Sequence, residues 1–321
     1  MRLATYDNGL PDGELIVVSG DGERSMSAGP KWPSLLTAIE SWSDALPDLR
    51  SLADRLEAGD GEAVVSEKLR APLPRSWQWL DGSAFVTHGE LMQVAFGIDP
   101  IDRARPLMYQ GMSDRFLGPV EPAAFPSEAD GIDFEGEFGV IVDFVPMGTS
   151  VEQAAGYIRL VVQINDWSLR TIAPVEMKTG FGWVQAKPAC SMAPFAVTPD
   201  YLGEHWQNGR VCLDLLVERG GERFGFVNGG EMAFSFAELV AHAARTRDLV
   251  AGTVIGSGTV SNAQYASRGS ACISERRAIE IIAAGAPSTP FLQFGETIRM
   301  VGQCSDGAAP FGAIVQEVAR A

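Results

Sequence analysis

The stretch Ile132–Val145, IDFEGEFGVIVDFV, decides how this chain is read. From Phe138 onward it is an almost unbroken run of Phe, Val and Ile with one small glycine, the composition of a strand covered on both faces. Similar short runs recur between glycines further on: IRLVVQIND (158–166), RVCLDLLVE (210–218), GTVIGSGTVS (252–261) and TIRMVGQC (297–304). Two longer stretches, SVEQAAGYIRLVVQIND (150–166) and FSFAELVAHAARTRDLVAG (234–252), open with helical spacing of apolar residues and lead into strand-like sequence. No internal repeat is present. The pattern predicts an α+β fold whose main domain is a strand-rich mixed β-sandwich or roll, rather than a regularly alternating parallel sheet.

Working back toward the start, RLATYD (2–7) and LIVVSG (15–20) read as strands around the turn-forming DNGLPDG. SLLTAIESW follows Pro33, and DLRSLADRLEAG ends on a glycine placed as a helix C-cap. The segment APLPRSWQW (71–79) carries two prolines where the pattern changes. A small α+β N-terminal domain over 1–75 and a catalytic domain over 80–321 are therefore expected.

Composition excludes several classes of function. With 25 Lys and Arg against 41 Asp and Glu, the formal charge is -16 over 321 residues, so stable binding to nucleic acid or an anionic membrane is not expected. The chain is 46% hydrophobic and has no low-complexity stretch, which argues against disorder. Cys190, Cys212, Cys272 and Cys304 form no CxxC pair and read as reduced, small core residues. The opening MRLATYDNGL lacks a basic segment followed by an apolar one, and the longest uncharged run, Leu249–Ser267, is studded with polar residues. These features predict a soluble cytoplasmic protein.

Chemistry concentrates in the opening stretch. Glu135 and Glu137 lie two residues apart in a strand-like run, so both side chains are expected on one face. Alone, such a pair reads first as a solvated edge, but the apolar flanks argue for burial, and buried acids at this spacing call for a cation. Asp166, in QINDWSLR, is a third acid, which also reads as a simple cap after a strand. Three carboxylates suit magnesium, manganese or calcium better than zinc, since no Cys or His cluster accompanies them.

Taken in order, IDFEGE, NDWSLR, QAKP and GSGTVSN resemble the fumarylacetoacetate hydrolase family over about residues 80 to 320. The N-terminal region is similar to the amino-terminal domain of a bacterial subgroup. The resemblance implies a metal-dependent enzyme acting on β-diketo or 2-oxo acids, with Glu135, Glu137 and Asp166 as metal ligands. Longer family members add an acid seven residues before the catalytic histidine. Asp81 stands seven before His88, although the intervening GSAFVT departs from the aromatic-rich family segment.

On the same basis His88 becomes the base that deprotonates water, and Glu275, in GSACISERR, its partner. Read without the resemblance, His88 is a surface or hydrogen-bonded residue, and Glu275 pairs with Arg276 or Arg277. Lys187 and Arg170 are implied as cationic donors to an oxyanion, and otherwise read as surface cations. Tyr109 and Thr259 are implied as substrate contacts, Tyr109 reading equally as a core aromatic. Ala173 stands where longer members have a glutamine, so one polar contact is absent or comes from elsewhere. GSGTVS is not a dinucleotide loop, because Ser261 replaces the third glycine. His205 and His242 match no motif and read as structural.

The resemblance implies cleavage of a β-diketo acid, foremost 4-fumarylacetoacetate to fumarate and acetoacetate, at the end of tyrosine and aromatic breakdown. It equally accommodates a lyase, decarboxylase or tautomerase acting on oxaloacetate or a related 2-oxo acid through a metal-bound enolate. A non-catalytic interaction module is a third class, which the intact set of acids, His and Lys opposes. A homodimer is the family expectation.

Overall fold

The computed structural model describes residues 1–97 and 104–321. Its main element is an 11-stranded mixed sheet. The strand Gly136–Val142, drawn from the opening stretch, lies near its middle and pairs antiparallel with Ile158–Asn165 and with Val254–Gly256. Val254–Gly256 runs parallel to Trp79–Gly82, which pairs antiparallel with Met108–Gly111 at one edge. A second sheet of five strands is built around Asp214–Arg219, Thr297–Gln303 and Ala313–Arg320.

Alternation along Gly136–Val142 sorts its side chains between two cores. Phe138, Val140 and Val142 join the larger cluster, shared with Leu215, Val217, Ile298 and Met300 of the five-stranded sheet. Ile141 faces the other way, with Val162, Ile164 and Trp79, toward the helices Leu35–Glu40 and Trp42–Glu57. A strand covered on both faces has no room for alternating polar residues, hence its continuous apolar reading.

At the N-terminus, Arg2–Tyr6 and Glu14–Val18 pair antiparallel as the sequence predicts. Ser34 caps the first helix by accepting from Thr37 N–H at 3.2 Å. The second helix starts earlier than its amphipathic signal, at Trp42, and carries Pro47 as its sixth residue, where the missing N–H removes one intrahelical hydrogen bond. Arg2 and Leu3 pair with Val197 and Ala196, so the large sheet runs unbroken from the N-terminal strands into the rest of the chain. The N-terminal helices and the central strands share one apolar core.

Both stretches with mixed signals open with a helix, but the strand after the second starts only at Val254, beyond the stretch itself. Ser150 opens a short helix with a capping box before the strand Ile158–Asn165, and Ser235 with Glu238 does the same for the helix Phe236–Ala243. Among the described residues no helix is long and apolar enough to cross a membrane.

A candidate metal and acid–base site

Two strands and the residue that follows a third deliver the clustered acids to one place. Asp81 pairs with Gly256 on one neighbouring strand and with Tyr109 on the other, so these positions share a row across the sheet. Gly256 is needed there. A Cβ on it would sit 2.4 Å from Asp81 Oδ1 and 2.4 Å from the Trp79 ring. The next turn is also tight: Gly258 has φ +77°, and its N–H donates to Asp81 Oδ1 at 3.0 Å. Glu137 lies opposite Ile164, and Asp166 follows the end of that same strand.

Carboxylate oxygens of Asp81, Glu137 and Asp166 all lie within 4.8 Å of one another, and all three residues are buried. Both Glu137 oxygens are buried without a hydrogen-bond partner. Burial first, and then the neighbouring acids, push the Asp81 and Glu137 carboxyls well above the usual carboxylate range. An oxygen-only donor set with two unsatisfied buried oxygens fits a hard divalent cation.

Glu135 occupies a different electrostatic position from its neighbour two residues on. Its Oε1 accepts from Arg170 Nη2 at 2.5 Å and its Oε2 from Lys187 Nζ at 2.7 Å. Burial opposes its charge, but Lys187 and Arg170 prevail and hold its carboxyl below the ordinary range. Lys187 also donates to Asp166 Oδ2 at 2.6 Å, so one ammonium bridges Glu135 to the acid cluster. Asp166 and Glu135 outweigh the desolvation of Lys187 and keep it charged. Arg170 Nε donates to Asp133 Oδ2 at 2.8 Å, which places this guanidinium between two carboxylates rather than facing open space.

Around this core stand the remaining residues of interest. Tyr109 donates its hydroxyl to Asp166 Oδ2 at 2.6 Å, and its ring lies 4.9 Å from that of Trp183. Lys187 Nζ lies 5.3 Å from the Tyr109 ring centroid and 5.6 Å from that of Trp183. Thr259 is buried in the glycine-framed turn beside Asp81. His88, on the helix Val86–Phe96, holds Glu275 of the helix Ile273–Ala284 at 2.9 Å through Nδ1. Glu275 is fully buried, and it lies in the first turn after Cys272, which forms a β-bridge with Glu135, so the dyad borders the acids.

Sequence reasoning passed over four residues here. Asp133 precedes Glu135 by two and continues the same alternation of acids, a signal present in IDFEGE. Cys190, expected as plain core, donates its thiol to Asp166 Oδ1 at 2.9 Å, and Cys272 accepts Glu275 N–H at 3.3 Å as a helix cap. The Cys190 contact joins segments 24 residues apart and leaves no sequence signature, while Cys272 caps locally, three residues before Glu275, with a sulfur that is not among the usual capping side chains. Cys212 and Cys304 are only half-buried, and all four cysteines are free. Trp183 lies in a loop with no motif. His205 and His242 stay outside the site: His205 contacts the Cys212 carbonyl at 3.4 Å, and His242 lies on the helix Phe236–Ala243.

An acid cluster of oxygen donors with a His–Glu dyad at its border defines a candidate centre for metal-assisted acid–base chemistry. The family model described as fumarylacetoacetate (FAA) hydrolase C-terminal matches residues 78–319, and that described as fumarylacetoacetase N-terminal domain 2 matches residues 1–75. This chain belongs to the fumarylacetoacetate hydrolase family. A 2,4-didehydro-3-deoxy-L-rhamnonate hydrolase of Sphingomonas sp. (strain SKA58) is 26% identical over 250 residues, covering 72% of this chain and 80% of the relative. The mitochondrial oxaloacetate tautomerase FAHD2B of Bos taurus is 22% identical, covering 69% of this chain and 72% of its own. Maleylpyruvate hydrolase from Sphingobium sp. SYK-6, solved with manganese(II) and pyruvate, superposes with a TM-score of 0.67 at 16% identity, over 100% of this chain and 99% of that one. The family thus holds both hydrolases and tautomerases, and its relatives here are enzymes.

Proposed function

We propose that the protein is a divalent-metal-dependent hydrolase that cleaves the carbon–carbon bond of a β-diketo acid, with 4-fumarylacetoacetate the leading substrate. The observation that carries this reading is the His88–Glu275 contact at the border of the acid cluster. Hydrolysis needs a base to take a proton from the attacking water, and a histidine oriented by a buried carboxylate can supply one. Asp81, Glu137 and Asp166 would hold the ion, with Glu135 as a fourth carboxylate beside them. Once bound, a divalent cation withdraws electrons from the diketo oxygens and stabilises negative charge there.

His88 Nδ1–H donates to Glu275, which leaves Nε2 to take a proton from water. Glu275 then offsets the charge of the imidazolium. As the water oxygen bonds to the carbonyl carbon, negative charge grows on the carbonyl oxygen. An ammonium has three donors, and two of those on Lys187 are held by Glu135 and Asp166, so the third is available to that oxygen. The carbon–carbon bond breaks, its electron pair passes to the departing carbon, and the proton from His88 closes the balance. Arg170 keeps Glu135 in place rather than touching substrate.

A second reading, tautomerisation or decarboxylation of oxaloacetate, is favoured by the Bos taurus relative and uses the same acids without activated water. One experiment separates them. Protein stripped with chelator and restored with magnesium, manganese or calcium is offered fumarylacetoacetate, an acylpyruvate and oxaloacetate. Metal-dependent hydrolysis of a β-diketo acid supports the first reading. Turnover of oxaloacetate alone replaces it with the second.

A further inference from the structure

The short strand Ile132–Asp133 supplies a carboxylate that the mechanism above leaves without a role. Asp133 is fully buried, and three donors converge on it. Its Oδ1 accepts from Ile273 N–H at 2.7 Å, and its Oδ2 from Ser274 N–H at 2.9 Å and from Arg170 Nε at 2.8 Å. The two amides open the helix Ile273–Ala284, where backbone N–H groups have no partner within the helix. The helix's own cap, Cys272, offers only a sulfur, a weak acceptor. A distant acid therefore does the work of a cap, with the added attraction of a negative charge for a helix N-terminus.

Glu275 is the next residue along this first turn. Its carboxylate reaches His88 only if the turn is held in place, and Arg170, the third donor on Asp133, holds Glu135 at its other end. We propose that Asp133 is a positioning residue that fixes Glu275, and through it the His88 imidazole, against the carboxylates of the acid cluster. It touches neither substrate nor metal. The inference rests on the reading of His88 as the base, yet its first test is independent of any reaction.

That test uses the three histidines of the chain. Ring nitrogen shifts of protein labelled with 15N-histidine report which nitrogen carries the proton, at alkaline pH where imidazoles are neutral. His88, assigned by its loss in His88→Ala, is expected as the Nδ1–H tautomer in the wild type. Asp133→Ala should return it to a tautomer mixture, as Glu275→Gln should directly. Should Asp133→Ala fail to fold, Asp133→Asn serves instead, since an amide oxygen satisfies at most two of the three donors and a partial shift toward the mixture follows. A folded Asp133 variant with wild-type His88 shifts overturns the proposal, and so does a wild type lacking the Nδ1–H tautomer.

Kinetics supply the second arm. On the β-diketo acid that the wild type hydrolyses, Asp133→Asn should lower kcat about tenfold or more and leave KM within about threefold. Placed on a Glu275→Gln background, the same change should cost less than about threefold, because the route through Glu275 is already gone. Additive losses mean that Asp133 acts as general structure, and the proposal fails. A wild type with the expected tautomer but no hydrolysis refutes the reaction, while the shift measurement still decides the role of Asp133.

Discussion

Replacing Glu137 by Gln should stabilise the metal-free protein while abolishing its response to metal. Glu137 sits with Asp81 and Asp166 inside a 4.8 Å cluster, and both its oxygens lack donors. Two full charges at 4.8 Å repel by about 3.5 kcal/mol at an effective dielectric constant near 20. Proton uptake relieves part of this, because burial and the neighbouring acids raise the Asp81 and Glu137 carboxyls. The sign follows from that direction. A carboxyl raised on folding leaves the native state with more bound protons than the unfolded one, so stability falls as pH rises above the ordinary carboxylate range.

Gln cannot ionise, and its amide can donate to the acceptor-rich Asp81 and Asp166. In chelator at pH 8 the variant should therefore melt roughly 2–6 °C above the wild type, at about 2 °C per kcal/mol for a chain of this size. The gap should close as pH is lowered toward the ordinary carboxylate range, because the wild-type acids take up protons. Magnesium at a hundred times its dissociation constant should add about 2.7 kcal/mol to the wild type and nothing to the variant, reversing the order. Differential scanning calorimetry at pH 8 and at lower pH, with and without magnesium, measures all of this. A variant that melts below the wild type in chelator at pH 8, or that gains as much from magnesium, refutes the assignment of the cluster.

Three further outcomes are expected. His88→Ala should lose about two to four powers of ten in hydrolysis with magnesium affinity unchanged by calorimetric titration, while any decarboxylation of oxaloacetate, which needs no activated water, survives far better. Lys187→Met should lower kcat about a hundredfold or more with little change in KM, and steady-state kinetics showing only a raised KM would make it a binding residue. Gly256→Ala forces a methyl to 2.4 Å from both Asp81 and the Trp79 ring, so denaturant titration should show a loss of about 1–3 kcal/mol, with weakened magnesium binding.

The strands of the central sheet were legible because burial on both faces removes polar residues and leaves continuous Val, Ile and Phe. One inner strand of the second sheet was not. In Ala313–Arg320, Gln316 points inward to donate to the Gly118 and Glu121 carbonyls, which breaks the apolar alternation a reader relies on. The continuity of the N-terminal strands with the main sheet depends on Arg2 and Leu3 meeting Val197 and Ala196, a pairing that local patterns do not encode. For the site, residue types and spacing pointed to a shared location for Glu135, Glu137 and Asp166, and the family resemblance added Asp81. They could not separate Glu135 from Glu137, because the cations that distinguish them arrive from 35 and 52 residues away.

That separation is what makes the centre workable. Asp133 and Glu135 share Arg170, and Glu135 and Asp166 share Lys187, so the acids on this side have protein cations bonded to them. Among the described residues no cation is bonded to Asp81 or Glu137, which instead respond to burial by moving toward the neutral form. A centre with five carboxylates and two bonded cations cannot keep every acid ionised in a dry interior. Placing both cations on one side keeps Glu135 charged at any working pH, and leaves the deficit concentrated on Asp81, Glu137 and the shared Asp166. A divalent charge at that point would let Asp81 and Glu137 ionise, so metal binding should release protons and strengthen as pH rises. The same division frees Lys187 from serving Asp81 and Glu137, and so leaves its third donor for the substrate oxygen.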